Sequence, residues 1–465
     1  MEKNNKILFI HPAAIVDLQI GSNLKFPPMG LAYLAAVVRD YGYPTMIFDA
    51  NIEAESQKKL KQILAEFKPT IVGLSFTSVL ADSAKQTAVL VKEINPEIKV
   101  IAGGYHPTVK PEEVIADPNF DVVFVGEAEI SLIEWLRHLE GGADNWQEIN
   151  GLVFRHQGGV IKTAPRELIP NLDTLPFPAY DLLPIERYST LSTIRRPYVT
   201  FIRSRGCPFQ CIFCGVQKMF GRRYRCQSPE KTISDIDLLV KNFGVKEISF
   251  RDSDFLINKD NVEKFCQLMI DRHYDLVWTC NARVDMINDK ILLLMKKAGC
   301  HLVTFGVESG SQEILDQLKK GITVAQIEAA AAAAKKVKMK FTFDIILGGI
   351  GETPDSIAET NRLLKKLNPD YVAFNYLTAF PGSELYDEAL KSHWFIEGKT
   401  NDYSYENLNL NATKMTNQEL AQVLRRSLAS FYFRPRYILK RLSYLTWPEI
   451  KNNFNGLIAI LKKLL

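Results

Sequence analysis

Short apolar runs and stretches of helical period alternate over the first third of the chain. Runs at Lys6–Ile10, Thr45–Phe48, Thr70–Phe76, Lys99–Ala102 and Asp121–Val125 are rich in Val, Ile and Phe and are bounded by turn residues, which predicts β-strands. The intervening stretches Gly30–Tyr41, Glu53–Glu66, Leu80–Ile94, Pro111–Ala116 and Glu129–Leu139 carry the spacing of helices. Five strand–helix units predict an open parallel sheet with helices on both faces. Ligands of such sheets sit beyond the carboxyl ends of the strands. Those ends carry His11-Pro12, Asp49, Ser75–Ser78, Gly103–Thr108 and Gly126–Glu129, small or polar groups that suit close approach of a ligand.

Residues 150–194 break this rhythm. Gly158-Gly159 predicts a hairpin, and Pro165, Pro170, Pro176, Pro178 and Pro184 then exclude long regular elements, so the span reads as a linker. A second alternating series follows. Strands are expected at Val199–Ser204, Glu247–Arg251, Leu276–Cys280, Leu302–Val307, Lys340–Ile346 and Tyr371–Tyr376, each followed by a helix. Six units in about 200 residues are too few for a complete eight-unit barrel and predict a partial parallel one. The chain is therefore expected to be α/β: a first domain over 1–149, a linker over 150–194, a partial (β/α)6 barrel over 195–395 and a helical basic region over 396–465.

Composition narrows the function. Apolar residues make up 46% and charged residues 24%, ordinary values for a soluble globular protein, and a net charge of +4 gives no global sign of nucleic-acid binding. The start, MEKNNKILFIHP, lacks the features of a signal peptide, and no uninterrupted apolar stretch is long enough to span a membrane. Seven cysteines, three of them clustered, are not a disulfide framework and point to metal or redox chemistry in the cytoplasm.

The cluster is Cys207, Cys211 and Cys214, directly after a predicted strand. Three thiolates on one tight loop suit three irons of a cubane cluster and leave the fourth iron open to a chelating ligand. Two other readings stand beside it: structural zinc, which would need a fourth ligand such as Cys226 or a distant His, and buried thiols without a metal. Cys226, Cys266, Cys280 and Cys300 read as small packed groups. Cys280, at a strand end, has a second reading in which it faces the barrel cavity.

The C-x3-C-x2-C spacing, with the aromatic Phe213 before the last cysteine, resembles the radical S-adenosylmethionine (SAM) superfamily. The resemblance extends through Asp252-Ser253-Asp254-Phe255 after the second strand, Gly306-Val307-Glu308-Ser309-Gly310 after the fourth, Ile346–Glu352 after the fifth and Phe380–Tyr386 after the sixth. It implies a [4Fe–4S] cluster on Cys207, Cys211 and Cys214, and SAM contacts from Phe213, Asp252, Asp254, Glu308, Ser309, Gly348 and Gly349. Alone, the glycine pair also reads as a turn, the aspartates as a solvated loop or helix cap, and Glu308 as a surface residue. Tyr376 and Asp344 lie near strand ends as candidate bases, and no catalytic residue is assigned.

The first domain is similar to the Rossmann-like sheet of the cobalamin-binding subclass. The strings that carry the resemblance are Phe26–Ala36, Gly103-Gly104-Tyr105-His106-Pro107-Thr108 and Gly126-Glu127-Ala128-Glu129. It implies cobalamin contacts from Ser75, Thr77, Gly103, Gly104, His106, Gly126 and Glu127. The Asp-x-His-x-x-Gly string that places an imidazole on cobalt in many cobalamin proteins is missing, and His11 and His106 have a plainer reading as backbone hydrogen-bonders.

Together these resemblances imply cobalamin-dependent methyl transfer to an unactivated carbon through a 5′-deoxyadenosyl radical. Two alternatives remain: an oxidative cyclase or rearrangement enzyme without methyl transfer, and a non-enzymatic iron–sulfur redox protein. An electron donor such as flavodoxin or ferredoxin and a small-molecule substrate, with a lipid or isoprenoid among the candidates, are the expected partners. From Ala421 to Leu465 nine Lys/Arg stand against Glu449 alone, +8 locally. The segment Phe431–Arg441 reads either as a helix packed on the barrel or as peripheral contact with an anionic membrane, with nucleic acid not expected.

Overall fold

A computed structural model of the chain describes residues 5–13, 25–142, 145–405 and 407–442. The chain divides into two compact units. The first holds Lys25–Tyr188 with the start of the chain and Gly215–Arg225; the second holds Ser189–Cys214 and the chain from Cys226 onward.

In the first unit the strands are β1 (Ile7–His11), β2 (Thr45–Asp49), β3 (Ile71–Ser75), β4 (Lys99–Gly103), β5 (Val122–Phe124), β6 (Leu152–His156) and β7 (Gly159–Lys162). They form one sheet in the order β2-β1-β3-β4-β5-β6-β7. β1 to β5 are parallel, as the sequence predicts, and β6 and β7 run antiparallel at one edge. The strand order reverses direction at β1 and β3, the place where such sheets open a crevice. Helices α1 (Met29–Asp40), α2 (Ser56–Phe67), α3 (Ala81–Ile94), α4 (Tyr105–Val109), α5 (Pro111–Ala116) and α6 (Glu129–Glu140) connect the strands. Leu8, Ile10, Val72, Leu74, Val100 and Ala102 pack with residues of α2 and α3 in one buried cluster.

Residues 150–188 are not a free linker. The expected hairpin is present, and its first strand docks on β5 because Leu152, Val153 and Phe154 are apolar and buried there. Arg155 reinforces the dock by donating to the carbonyls of Asp117, Pro118 and Phe120. The proline-rich stretch beyond it forms short 3-10 turns and buries Tyr180 and Tyr188 completely. The Tyr188 hydroxyl donates to Asp49 at 2.9 Å.

Helix α7 (Val216–Phe220) and the residues after it also belong to the first unit. Arg225 explains why. Its guanidinium donates to both carboxylate oxygens of Glu127, at 2.8 and 2.9 Å, and to the carbonyls of Ile169 and Phe220. Glu127 also accepts the Ile169 N–H at 2.8 Å. Both side chains are essentially buried, so each needs the other to offset its desolvation.

The second unit holds β8 (Tyr198–Phe201), β9 (Glu247–Phe250), β10 (Val277–Ala282), β11 (Cys300–Glu308), β12 (Lys340–Leu347) and β13 (Tyr371–Tyr376). All are parallel and adjacent in chain order, which is the expected partial (β/α)6 arc. The connecting helices are α8 (Pro229–Phe243), α9 (Lys259–Asp271), α10 (Asp289–Lys297), α11 (Gln312–Gln317), α12 (Val324–Lys336) and α13 (Pro354–Leu367). The two faces of this sheet differ. Phe250 and Trp278 meet Phe265 of α9 at ring separations of 5.5 and 5.8 Å, so their face is the one covered by helices. Each such ring contributes about 1.5–3 kcal/mol on burial, so this apolar face holds the unit together. Cys280 lies on it with Trp278, beside Cys300, and not in the cavity. The opposite face carries Thr200, Ser249 and Thr279 in one register and Asn281, Thr304 and Thr342 in the next.

After β13 come α14 (Glu384–Lys391), α15 (Asn417–Tyr432) and α16 (Pro435–Leu442). Much of the aromatic and basic segment packs inward. Tyr432 exchanges hydrogen bonds with the backbone of Val372, Tyr437 donates to the Asp370 carbonyl, and Lys440 pairs with the Asp370 carboxylate at 3.0 Å. Phe433, Ile438 and Leu439 remain exposed. Lys451, Lys462 and Lys463 lie outside the described residues. Among the described residues no helix is long and apolar enough to cross a membrane.

The Arg225–Glu127 pair gives a direct test of the first unit. Arg225→Met should cost about 3–5 kcal/mol, because it strands a buried carboxylate. The measurement is the urea midpoint of unfolding. A midpoint equal to that of the unaltered chain would contradict the role assigned to the pair.

Candidate functional site

Cys207, Cys211 and Cys214 lie on an irregular loop in the second unit, all half-buried and none in a disulfide. Two backbone bonds fix the loop: the Ile212 N–H donates to the Leu318 carbonyl at 3.2 Å, and the Leu385 N–H donates to the Ile212 carbonyl at 2.9 Å. Burial pushes the Cys207 and Cys211 thiols up from their ordinary value. Loading iron must therefore displace protons from these thiols. Among the described residues no three His, Cys, Asp or Glu side chains converge on a point that one metal ion could take. A cubane takes each thiolate on a separate iron, and three thiols on one loop fit that donor set.

The base of the loop is a buried ion pair. Arg203 is fully buried, and its Nε donates to Asp252 Oδ2 at 3.0 Å. Its remaining donors reach Asn261 Oδ1 and the Phe255 carbonyl, and its plane lies 3.9 Å over the Phe255 ring. Asp252 Oδ1 accepts the backbone N–H groups of Arg203 and Ser204, at 3.0 and 2.7 Å. Burial raises the Asp252 pKa, and Arg203 opposes that rise. Asp252, expected to face SAM, is thus committed to holding the strand that leads into the loop.

Asp254 is also buried. It accepts the N–H groups of Leu256 and Arg283, at 2.8 and 2.7 Å, and burial pushes its carboxyl up to about 6. Arg283 lies 3.8 Å over the Phe209 ring of the cysteine loop. It pairs with Asp285 and donates to the Lys320 carbonyl at 2.9 Å. Phe213 is half-buried in the same loop.

Glu308 ends β11 with a left-handed backbone, φ 68°, beside a break in the strand register. It pairs with Lys320 at 2.7 Å, and both side chains are buried. Asp344 faces the same side, where burial and Glu308 push its carboxyl up to about 7. Ser309 is fully buried. Its hydroxyl contacts Thr360 and accepts the Ser311 N–H. The Gly348 and Gly349 N–H groups both donate to Glu352 Oε2, at 2.6 and 3.2 Å. Glu352 is fully buried, its Oε1 has no hydrogen-bond partner, and burial pushes its carboxyl up to about 7. Tyr376 donates to the Ala421 carbonyl at 3.1 Å, which ties it to α15 rather than to a reacting group.

In the first unit Ser75, Gly103 and Gly104 line a small apolar cavity at the strand ends, together with Leu31, Leu34 and Phe124. A Cβ on Gly104 would lie 2.9 Å from Ser75 Oγ and 3.0 Å from the Phe76 backbone, so only glycine lets the end of β4 pack this closely on the end of β3. Thr77 is exposed, and the Gly126 N–H donates to Thr108 Oγ1. The small residues at these strand ends suit a group that approaches the backbone closely. His106 is buried with Nδ1 on Ser78 Oγ at 3.0 Å, and burial lowers its pKa. Glu127 is taken up by Arg225. His11 pairs with Asp49 at 3.0 Å. His106 Nε2 lies 3.7 Å from Glu113 Oε1.

Sequence reasoning missed Arg203, Arg283 and Lys320, and it named Glu352 only as the end of the Ile346–Glu352 segment. A signal existed for the first: two arginines, Arg203 and Arg205, precede the cysteine loop, and an aspartate follows the next strand. Lys320 and Arg283 sit on unremarkable loops and carried none.

Comparison with known proteins gives two family matches: the radical SAM superfamily over residues 201–364 and the B12 binding domain over residues 19–135. An uncharacterized methyltransferase of Pyrococcus horikoshii is 33% identical over 456 residues, 98% of each chain. The anaerobic magnesium-protoporphyrin IX monomethyl ester cyclase of Rubrivivax gelatinosus is 31% identical, over 82% of this chain and 70% of that one. Among solved structures, the radical SAM methyltransferase TsrM of Kitasatospora setae, with cobalamin and a [4Fe–4S] cluster bound, shares the fold with a TM-score of 0.75 at 14% identity, covering 100% of this chain and 99% of that one.

The Glu352 geometry predicts a pH signature. A carboxyl raised from 4.5 to about 7 in the folded state binds protons there that the unfolded chain has released. Stability should therefore fall as pH rises between about 4.5 and about 7. Glu352→Gln should flatten that slope, measured as urea unfolding across the window. A variant with the same slope as the parent would show that another group titrates.

Proposed function

We propose a function from one premise: this chain belongs to the radical SAM superfamily and carries a B12-binding domain ahead of its radical domain. It is a radical SAM enzyme of the cobalamin-dependent methyltransferase family, and its cofactors are a [4Fe–4S] cluster, SAM and cobalamin. The reaction we infer is methyl transfer to an unactivated carbon. The observation that carries it is the loop of three half-buried thiols in a chain that also matches a B12-binding domain.

When bound, the cluster supplies the electron that cleaves SAM, and cobalamin supplies a methyl carrier. Cys207, Cys211 and Cys214 would hold the cluster. Phe213, Asp254, Glu308, Gly348 and Gly349 would contact SAM, with Asp252 and Ser309 positioning the segments that bear them. Ser75, Thr77, Gly103, Gly104 and Gly126 would receive cobalamin through backbone and small side chains, without an imidazole from His106. An external one-electron donor, a flavodoxin or ferredoxin, would reduce the cluster. The substrate is a small molecule. The hydroxyl and amide groups of Thr200, Ser249, Thr279 and Asn281 suit one with hydrogen-bonding groups rather than a bare hydrocarbon. Peripheral contact with an anionic membrane would use the exposed Phe433, Ile438 and Leu439 beside Arg436.

A second reading keeps SAM cleavage and omits methyl transfer, and the 31% identity to a cyclase favours it. Anaerobically reconstituted protein separates the two: a methylated product supports the first, and 5′-deoxyadenosine without one supports the second. Cys211→Ala should abolish 5′-deoxyadenosine formation and lower the iron content. Retained cleavage in that variant would overturn both readings.

A further inference from the structure

We propose that Lys320 is a positioning residue for the iron–sulfur cluster, its buried ammonium held by Glu308 beside Cys211 so that its charge sets how readily the cluster accepts an electron. This rests on the cluster assignment above. The step it biases is the uptake of one electron from the external donor. No bond is made or broken in that step and no proton moves.

The placement of the ammonium is built in from several directions. Lys320 is 8% exposed and lies 2.7 Å from Glu308 Oε1. The pair occupies space that only a missing side chain provides: a Cβ on Gly306 would lie 2.7 Å from Glu308 Oε1 and 2.8 Å from Lys320 Nζ. The register break between Gly306 and Glu308 turns the carboxylate toward the lysine. The backbone of Lys320 is held in turn by Arg283, which donates to its carbonyl and stacks on Phe209 between the first two cysteines. Two residues earlier, the Leu318 carbonyl accepts the Ile212 N–H next to Cys211. Lys320 and Cys211 interact electrostatically across this frame.

A cluster on three thiolates is anionic and gains a further negative charge on reduction. Cluster potential responds to net charge and exposure around the site. A buried cation is screened far less than a surface one, so the Lys320 ammonium favours the reduced form. Glu308 acts in the opposite sense and moderates it. The plainer reading is a satisfied buried ion pair with no effect beyond packing. The two readings differ in sign: a packing pair loses the same thing whichever partner is removed, whereas a charge pair shifts the potential one way for the cation and the other way for the anion.

The test is a redox titration followed by electron paramagnetic resonance on anaerobically reconstituted full-length protein without SAM, with iron content measured in parallel. Lys320→Met should move the midpoint to more negative potential, and Lys320→Arg should restore it. Glu308→Gln, which leaves the lysine unopposed, should move it to more positive potential. Midpoints that do not move, or that move in the same direction for Lys320→Met and Glu308→Gln, overturn the proposal. If Lys320→Met fails to hold a cluster, Glu308→Gln decides alone: a positive shift supports the proposal, and an unchanged or negative one overturns it. A parent protein that takes up no iron would instead overturn the cluster assignment.

Discussion

A buried guanidinium has to be satisfied on every side, and Arg203 is. Its charge meets Asp252, its other donors reach Asn261 and the Phe255 carbonyl, and its face rests on Phe255. Desolvating the two ions costs several kcal/mol each, so the pair persists only with near-complete hydrogen bonding. The same carboxylate takes the two backbone amides that lead into the cysteine loop. The entrance of that loop is therefore as rigid as the ion pair itself. From there a chain of charged groups runs along the strand ends: Asp254 holds the Arg283 backbone, Arg283 holds residue 320, and Lys320 holds Glu308.

What could be read from the sequence was local. Strand and helix alternation, the hairpin at Gly158-Gly159 and the cysteine spacing each lie within a few residues of one another, and each survives in the structure. The side of the sheet that faces the helices also follows from alternation in β9 to β12, which is why Cys280 could be placed once its neighbour Trp278 was known to meet Phe265. What could not be read was partnership over distance. Asp252, Ser309, His106 and Glu127 all stand at strand ends, where a ligand is the natural expectation. Each instead answers a protein group far away in sequence: Arg203, Thr360, Ser78 and Arg225. Residue type and strand position are the same for a group that waits for a cofactor and a group that braces the loop beside it.

The two sheets solve different problems with the same connectivity. The first covers its faces with apolar side chains and places small residues at its strand ends, where Gly104 lets β4 pack closely on the end of β3. The second concentrates its apolar rings on one face and keeps hydroxyls, amides and charges on the other. On that polar face the Thr279 hydroxyl donates to Ser249 Oγ at 3.0 Å. The titratable groups there, Asp344 and Glu352, both lie near neutrality because burial penalises their charge.

The return of residues 215–225 to the first unit has a consequence for how this chain can be taken apart. The polypeptide leaves that unit at Tyr188, comes back at Gly215 and leaves again at Arg225. A cut at the Tyr188 boundary would strip Glu127 of its cation and the Ile169 carbonyl of its donor. Neither half is then a self-sufficient module that evolution or an experimenter could shuffle with a single junction. The third cysteine sits one peptide bond from this stitch, so no single junction can give the first unit its residues 215–225 without also carrying the metal-binding loop.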